Sequence, residues 1–146
     1  MSQENVEIVK RLKAAFNEKD LDAFAELTTP DFEWTTSMTA VEGEVFWGRE
    51  GIETYFERMR EAWEDFRGIA SDYRDLGQRV LWIGRLDARG LISGVPLSVP
   101  LDVLYDLRDG KISRMHSYLD HGEALRAAGL SLTVPESEPF PTEGEL

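Results

Sequence analysis

The sequence predicts an α+β fold in which helices come first and an antiparallel sheet follows. Apolar residues recur every three or four positions as far as Phe66, the spacing of helices with one buried face. From Ile69 to Asp120 they alternate with polar residues instead, which is the spacing of strands. Because each helix has a single apolar stripe, the helices must cover one face of a curved sheet. We therefore expect a cone-shaped α+β barrel with the N-terminal helices packed in the concavity of a curved antiparallel sheet.

Three helices are predicted before the sheet. In the first, the buried positions are Val6, Val9, Leu12 and Phe16, and Ser2 is the expected N-cap. Asp20 is the expected N-cap of a short second helix, which ends before Pro30. The third helix has the clearest periodicity, and Gly68 is its expected end. Its apolar positions are Ile52, Tyr55, Phe56, Met59, Trp63 and Phe66.

The strands are predicted from alternation and from turn residues. A first strand surrounds Phe32 and Trp34, and the loop after it reaches the core through Val45, Phe46 and Trp47. Four further strands are expected over 69–76, 79–88, 91–107 and 111–120. Asp109-Gly110 predicts a tight hairpin between the last two. Pro96 and Pro100 place their strand near an edge or at a bulge, and 121–129 is expected to form a short helix that stops at Gly129.

Composition narrows the class of protein. A chain of 146 residues with 30% charged residues is typical of one globular domain. The net charge of −12 argues against nucleic acid and anionic membranes as partners. Cysteine is absent, which excludes disulfides and thiolate chemistry. The N-terminal residues lack the pattern of a signal peptide, so we expect a cytoplasmic protein.

One domain is expected over residues 1–130, with a tail over 131–146. The tail is rich in proline and contains four glutamates but no lysine or arginine. Such a composition is typical of a flexible or extended segment.

Several motifs together indicate a family. DLDAF at 20–24 and PDFEW at 30–34 are typical of a second helix that leads into a first strand, and WGREGI at 47–52 is typical of the entry to a third helix. DGKI at 109–112 and YLD at 118–120 are typical of the final hairpin and the chain's closing segment. In these motifs the chain resembles the nuclear transport factor 2-like superfamily, and in particular its SnoaL-like branch, over about residues 4 to 130. The resemblance implies the cone-shaped fold and a homodimer formed through the outer face of the sheet.

The ketosteroid isomerase branch of this superfamily offers one partial match. Its Pro-aliphatic-Asp strand motif is similar to Pro100-Leu101-Asp102, which implies that Asp102 is an acid held neutral to donate to an oxyanion. The branch's tyrosine donor falls on Leu12, and its proton-shuttling aspartate falls near Thr36. Of the three catalytic residues of that branch, the resemblance therefore supplies only the acid at Asp102.

The SnoaL-like cyclases offer a second comparison. They often carry a histidine and an aspartate two residues apart on the last strand. Those positions resemble Met115 and Ser117 here, so the resemblance supplies no aldol-type base at that place.

Asp102 is the strongest candidate for chemistry, because it interrupts an apolar strand. It is either a pocket-facing acid that donates or accepts a proton, or a structural acid that pairs with Arg85 or Arg114 or faces solvent. Strand alternation puts it on the same face as Leu104. Since Leu104 is apolar, alternation does not show which face meets solvent.

His116 is the second candidate, because histidine exchanges protons near neutral pH. It shares a strand face with Tyr118, and the two can polarise a small polar ligand; the alternative is an exposed convex or dimer-interface face. His121 is expected to be a cap or surface residue. A metal site needs at least three converging ligands, and His116, Asp120 and His121 diverge, so neither a metal nor a cofactor is expected.

These observations lead to one leading hypothesis and one rival. We expect the protein to bind a small, largely apolar molecule in the cone, and we hypothesise cofactor-free acid–base catalysis of the isomerase, cyclase or hydrolase type. The residues expected to line the pocket are Trp34, Tyr55, Trp63, Met115 and Ser117. The hypothesised catalytic residues are Asp102, His116 and Tyr118. The rival is a non-catalytic homodimeric module that binds a ligand or another protein.

Overall fold

The structure, a computed structural model, describes residues 2–37 and 44–130. Its helices are α1 (Ser2–Glu18), α2 (Leu21–Glu26), α3 (Gly48–Ala62) and α4 (His121–Ala127). Its strands are β1 (Thr28–Thr35), β2 (Val45–Trp47), β3 (Trp63–Asp75), β4 (Arg79–Gly90), β5 (Pro96–Arg108) and β6 (Lys111–Tyr118). The predicted tail over 131–146 and part of the predicted 36–48 loop lie outside the described residues, and the division of the chain at residue 130 stays a prediction.

The strands form one curved sheet in the order β2-β1-β6-β5-β4-β3. Neighbouring strands are antiparallel except β1 and β6, which run parallel. The sheet does not close, because β2 and β3 are its edges. The α+β class and the packing of N-terminal helices against a curved sheet are confirmed.

Helices cover the sheet on both faces, but unequally. The inner face, as we call the side that contacts α1 and α3, carries a large core that includes Trp34, Phe56, Trp82 and Tyr105. The outer face, on the opposite side, is covered by α4 over a smaller cluster. That cluster consists of Leu81, Leu104, Ala124, Leu125 and Ala128.

The cap predicted for α2 was confirmed, whereas α4 is capped by Asp120 and not by His121. The side chain of Asp20 accepts a hydrogen bond from the backbone N–H of Ala23, as the N-cap of α2. At α4, Asp120 caps the helix by accepting from the N–H of Glu123. Gly129 follows α4 with φ of +80°, the left-handed conformation that commonly ends helices.

The predicted end of the third helix was wrong. The helix stops at Ala62, and Trp63 and Phe66 belong to β3. Residues three positions apart lie on one face of a helix, which is why Trp63 and Phe66 fit the helical pattern. In β3, a register shift between Trp63 and Asp65 allows the same spacing within a strand. Pairing of β3 with β4 along its whole length outweighs the local pattern, since a ladder satisfies the backbone donors and acceptors that the helix would otherwise use.

Two smaller expectations also changed. The strand predicted from residue 91 begins at Pro96, because 91–93 form a turn. Pro96 and Pro100 lie where β5 pairs only with β4, since β6 pairing begins at Asp102, so they occupy a local edge as predicted. Trp47, expected to anchor the loop in the core, is 59% exposed, and Phe46 alone of that group is buried.

Candidate functional site

Asp102 lies on the outer face of β5, beneath the start of α4. Its Cα partners in the sheet are Ile83 on β4 and Tyr118 on β6. It shares its face with Leu104, which packs against α4, and only 3% of its surface is exposed. The side chain therefore points away from α1 and α3, and any ligand that it meets must lie on the outer face.

The partner of Asp102 is His121. The His121 Nδ1 lies 2.5 Å from Oδ2 of Asp102, and the histidine side chain is half exposed. The alternative of a pair with Arg85 or Arg114 is not what the structure shows, because these arginines contact other acids. This contact was not predicted from the sequence. His121 directly follows the α4 cap, and that cap lies two residues beyond Tyr118, the sheet partner of Asp102.

This contact fixes the imidazole ring on a buried acid. Among the described residues no hydrogen bond reaches the other ring nitrogen, Nε2, of His121. A carboxyl group that holds Nδ1 orients a histidine ring and sets its tautomer, and it leaves Nε2 for proton transfer.

His116 and Tyr118 lie beside this pair on the same face. Their rings stack with centroids 4.3 Å apart and planes 13° apart. Burial, together with the nearby Arg114, lowers the pKa of His116, while Glu33 opposes the shift. Burial also raises the pKa of Tyr118. The structure thus brings the three predicted catalytic residues onto one face.

The predicted ligand-lining residues lie on the other face. Trp34, Tyr55 and Met115 are buried among α1, α3 and the sheet, and Ser117 is half-buried opposite Val103. The sheet separates them from Asp102. One small molecule cannot contact both predicted sets, so the structure divides the expected site into an inner and an outer candidate.

Aromatic side chains fill much of the inner face. The rings of Trp34 and Tyr55 have centroids 3.9 Å apart, and Phe24 stacks on Trp34 at 5.2 Å. Three clefts of about 510, 710 and 510 Å³ open elsewhere on the surface, between strand ends or beside hairpins. None of the three is lined by Trp34, Tyr55 or Trp63.

Four hydrogen-bond donors of the tyrosine and tryptophan side chains are buried without a partner in the described structure. These are the indole N–H groups of Trp34, Trp63 and Trp82 and the hydroxyl of Tyr105. Burial raises the pKa of the Tyr105 hydroxyl, and Tyr73 and Tyr55 add to the shift, so this group stays protonated as a donor. An unpaired buried donor costs about 1–3 kcal/mol, and such groups mark positions where a ligand or a water binds.

Lys13 is a second buried group that sequence analysis missed. Only 7% of its surface is exposed, and its Nζ lies 4.3 Å from the ring centroid of Trp82 and 4.9 Å from that of Phe16. Burial lowers its pKa from 10.5 to about 7. The signal was present, because position 13 follows Val9 by four residues and precedes Phe16 by three, which places it on the buried face of α1.

The described ranges were also compared with the requirements of a metal site and of a membrane-spanning helix. Residues 2–37 and 44–130 contain no group of three histidine, aspartate or glutamate side chains placed to hold a metal ion. In the same ranges, no helix is long and apolar enough to cross a membrane.

Comparison with known families now gives the class of the protein. The SnoaL-like domain matches residues 9–115, which is most of the chain, and the protein belongs to this family. The fold-family resemblance seen in the sequence is thereby confirmed. No curated protein matches the sequence.

Solved structures show the same fold at low sequence identity. TerC, co-crystallised with polyporic acid, superposes with a TM-score of 0.72 at 21% identity, covering 87% of this chain and 97% of TerC. A hypothetical protein with a ketosteroid isomerase-like fold from Catenulispora acidiphila, in complex with trimethylamine, gives 0.69 at 22% identity, covering 86% and 94%. A candidate SnoaL-like polyketide cyclase from Jannaschia sp. gives 0.69 at 22% identity, covering 91% and 94%. At these identities the likeness establishes the fold.

Removal of the His121 ring should destabilise the protein. His121→Ala leaves the buried Asp102 carboxyl without its partner, and we expect the free energy of unfolding to fall by about 2 kcal/mol. Urea denaturation followed by circular dichroism measures the change. His116→Ala is the matched control, since His116 has no buried acid to satisfy, and an equal loss in both variants would contradict the assigned role.

The buried amine of Lys13 should make stability depend on pH. Because its folded pKa lies below its unfolded pKa, protonation favours unfolding, so the penalty is complete below pH 7 and diminishes as the pH rises. Wild-type stability should rise relative to Lys13→Met between about pH 7 and pH 9.5, by about 3 kcal/mol in total, since the full slope is about 1.4 kcal/mol per pH unit. Urea titrations of both proteins across this range measure the difference, and a constant difference would contradict the shift.

Proposed function

We propose that this SnoaL-like protein binds a small, largely apolar molecule on the inner face of the sheet. The observation that carries the proposal is the pair of unpartnered buried donors on Trp82 and Tyr105. Aromatic rings contact the body of the ligand, and a donor binds an oxygen atom on it. Small-molecule complexes of two structural relatives, TerC and the Catenulispora protein, support this class of function.

The two donors belong to one region of the inner face. Trp82 pairs across the sheet with Val103, and Tyr105 lies two residues further along the same strand. Side chains in this diagonal relation lie on one face and within reach of a common ligand. A carbonyl or hydroxyl oxygen is the kind of acceptor that both donors lack.

The residues predicted from the sequence to line the pocket also line the binding site in this proposal. Trp34 and Tyr55 contact each other closely in the structure, so entry of a ligand between them would separate the rings. Trp63, Met115 and Ser117 complete the proposed lining. Tryptophan fluorescence is therefore a direct readout of occupancy, since four tryptophans are present.

A matched pair of probes tests whether an oxygen acceptor matters. 2-Acetylnaphthalene carries a carbonyl oxygen and naphthalene does not, so the wild-type protein should bind the ketone more tightly by about fivefold to tenfold, which corresponds to one hydrogen bond. Tyr105→Phe should reduce this preference, because it removes a donor with little change of shape. Fluorescence titration measures both affinities.

The control for this experiment is Tyr73→Phe, which removes a hydroxyl that is less deeply buried. Equal binding of the two probes by wild type and by Tyr105→Phe would contradict a role for the buried donors. Failure of wild type to bind either probe would favour the rival, a non-catalytic module that docks another protein.

The outer face supports a second candidate function, namely acid–base catalysis. The specific observation is the 2.5 Å contact between the buried Asp102 and His121. In this proposal Asp102 orients the ring, His121 transfers a proton through Nε2, and His116 or Tyr118 assists. The chemistry is cofactor-free proton transfer on a carbonyl compound, of the isomerase, cyclase or hydrolase type.

Exchange of the methyl protons of 2-acetylnaphthalene in D₂O, followed by NMR, tests this second candidate. Asp102→Asn and His121→Ala should each slow a protein-catalysed exchange, by about 100-fold for a group that transfers the proton or holds its carrier. Lys13→Met, on the inner face, is the control and should leave this exchange unchanged. Full exchange activity in both outer-face variants would refute the assignment.

A homodimer in the cytoplasm completes the proposal. The outer face beyond α4 carries Trp47, which is 59% exposed and pairs in register with Glu33. An exposed tryptophan beside charged residues is typical of a protein interface. Light scattering should give twice the mass of one chain for the wild-type protein, and the mass of one chain for Trp47→Glu.

A further inference from the structure

We propose that Lys13 is a nucleophilic amine that captures an aldehyde ligand as an imine. The inference rests on the proposed function, because it places the aldehyde on the inner face. It adds the chemical class of the ligand and a covalent step. Three observations support it: the burial of the amine, the lack of an oxygen partner and the surrounding aromatic rings.

Lys13 differs from the other lysines in what its amine contacts. The chain has four lysines. Lys10 pairs with Glu7, Lys19 binds the carbonyl of Phe66, and Lys111 binds a backbone carbonyl of α2. Within residues 2–37 and 44–130, Lys13 is the lysine whose Nζ has no oxygen partner for a hydrogen bond or ion pair. A buried ammonium without such a partner is unfavourable, which favours the neutral amine.

The rings around the amine form a site for an aromatic or other flat apolar group. Nζ lies over the face of Trp82 and near the ring of Phe16. Such rings stabilise a cation to some extent, and they also contact an aromatic ligand by stacking or edge-to-face packing. An aryl aldehyde would therefore present its carbonyl carbon to an amine that these rings already hold.

Gly68 packs directly beside the Lys13 side chain. A Cβ atom at this position would lie 3.0 Å from Cδ and 3.5 Å from Nζ of Lys13. Asn17 holds the glycine in place, because its side chain donates to the Gly68 carbonyl at 3.0 Å and accepts from the Gly68 N–H at 2.8 Å. The bare backbone of β3 thus forms one wall beside the nitrogen.

The chemistry requires a neutral amine, and burial provides it. With a pKa near 7, half or more of the Lys13 amine is neutral at physiological pH. The nitrogen lone pair attacks the aldehyde carbon and forms a carbinolamine. Loss of water then gives the imine: the aldehyde oxygen leaves with the two hydrogens that the nitrogen loses. No oxidant or reductant takes part.

Reductive trapping tests this step in the full-length protein. 2-Naphthaldehyde is added with sodium cyanoborohydride, which reduces the imine to a stable secondary amine, and peptide mapping by mass spectrometry locates the label. Lys13 should be labelled at least about tenfold faster than Lys10, which lies on the same helix, and its rate should rise through about pH 7. Naphthalene in excess should slow the labelling of Lys13 and not that of Lys10.

The variants separate this inference from the proposed binding function. Lys13→Arg and Lys13→Met should lose the fast label, while Lys13→Met should still bind 2-acetylnaphthalene, which is a far weaker electrophile than an aldehyde. Labelling of Lys13 no faster than Lys10, in wild-type protein that binds 2-acetylnaphthalene, would overturn the inference and leave the binding proposal standing. Wild-type protein that binds neither probe and labels Lys13 no faster than Lys10 would overturn both.

Discussion

Burial of β5 on both faces is the constraint on which the rest of the structure depends. Residues 101–105 are buried without interruption, although strand alternation sends their side chains to opposite sides. The inner side chains pack under α1 and α3, and the outer ones pack under α4. A charged residue in such a strand needs a partner that comes from the covering layer. His121 at the start of α4 is that partner for Asp102, so the position of α4 and the chemistry of β5 are coupled.

The inner face carries groups that stability does not explain. A core that served only to fold the chain would contain neither an unpartnered tyrosine hydroxyl nor a lysine amine among rings. Tyr105, Trp82 and Lys13 nevertheless lie within one connected core. Each weakens the folded state by an amount comparable to a substantial part of the stability of a small domain. The unpartnered donors of Trp82 and Tyr105 are the physical basis of the proposed binding site.

Membership of the SnoaL-like domain family fixes the fold and leaves the chemistry open. At 21–22% identity, the related structures share the framework with this chain. The positions at which related enzymes carry catalytic residues hold Leu12, Thr36, Met115 and Ser117 in this chain. Asp102 lies on the outer face of the sheet and not inside the cone. Function in this fold is set by the side chains that individual members place on it. In our proposals those side chains are Lys13, Tyr105 and the Asp102–His121 pair.

The sequence by itself determined the features that arise from local spacing. The buried stripes of α1 and α3, the cap at Asp20 and the turn at Asp109-Gly110 depend on residues a few positions apart, so their patterns are readable without a structure. The position of Lys13 on the buried side of α1 was also readable in the same way.

Only the tertiary structure decided which elements pair and which face each strand presents. The parallel contact of β1 with β6, the end of α3 at Ala62 and the contact of Asp102 with His121 all join segments whose pairing no local pattern specifies. Alternation along β5 separated its residues into two sets, but the assignment of each set to α1 or to α4 depends on how distant helices pack. That assignment is a property of the whole fold, because burial is shared between segments far apart in the chain.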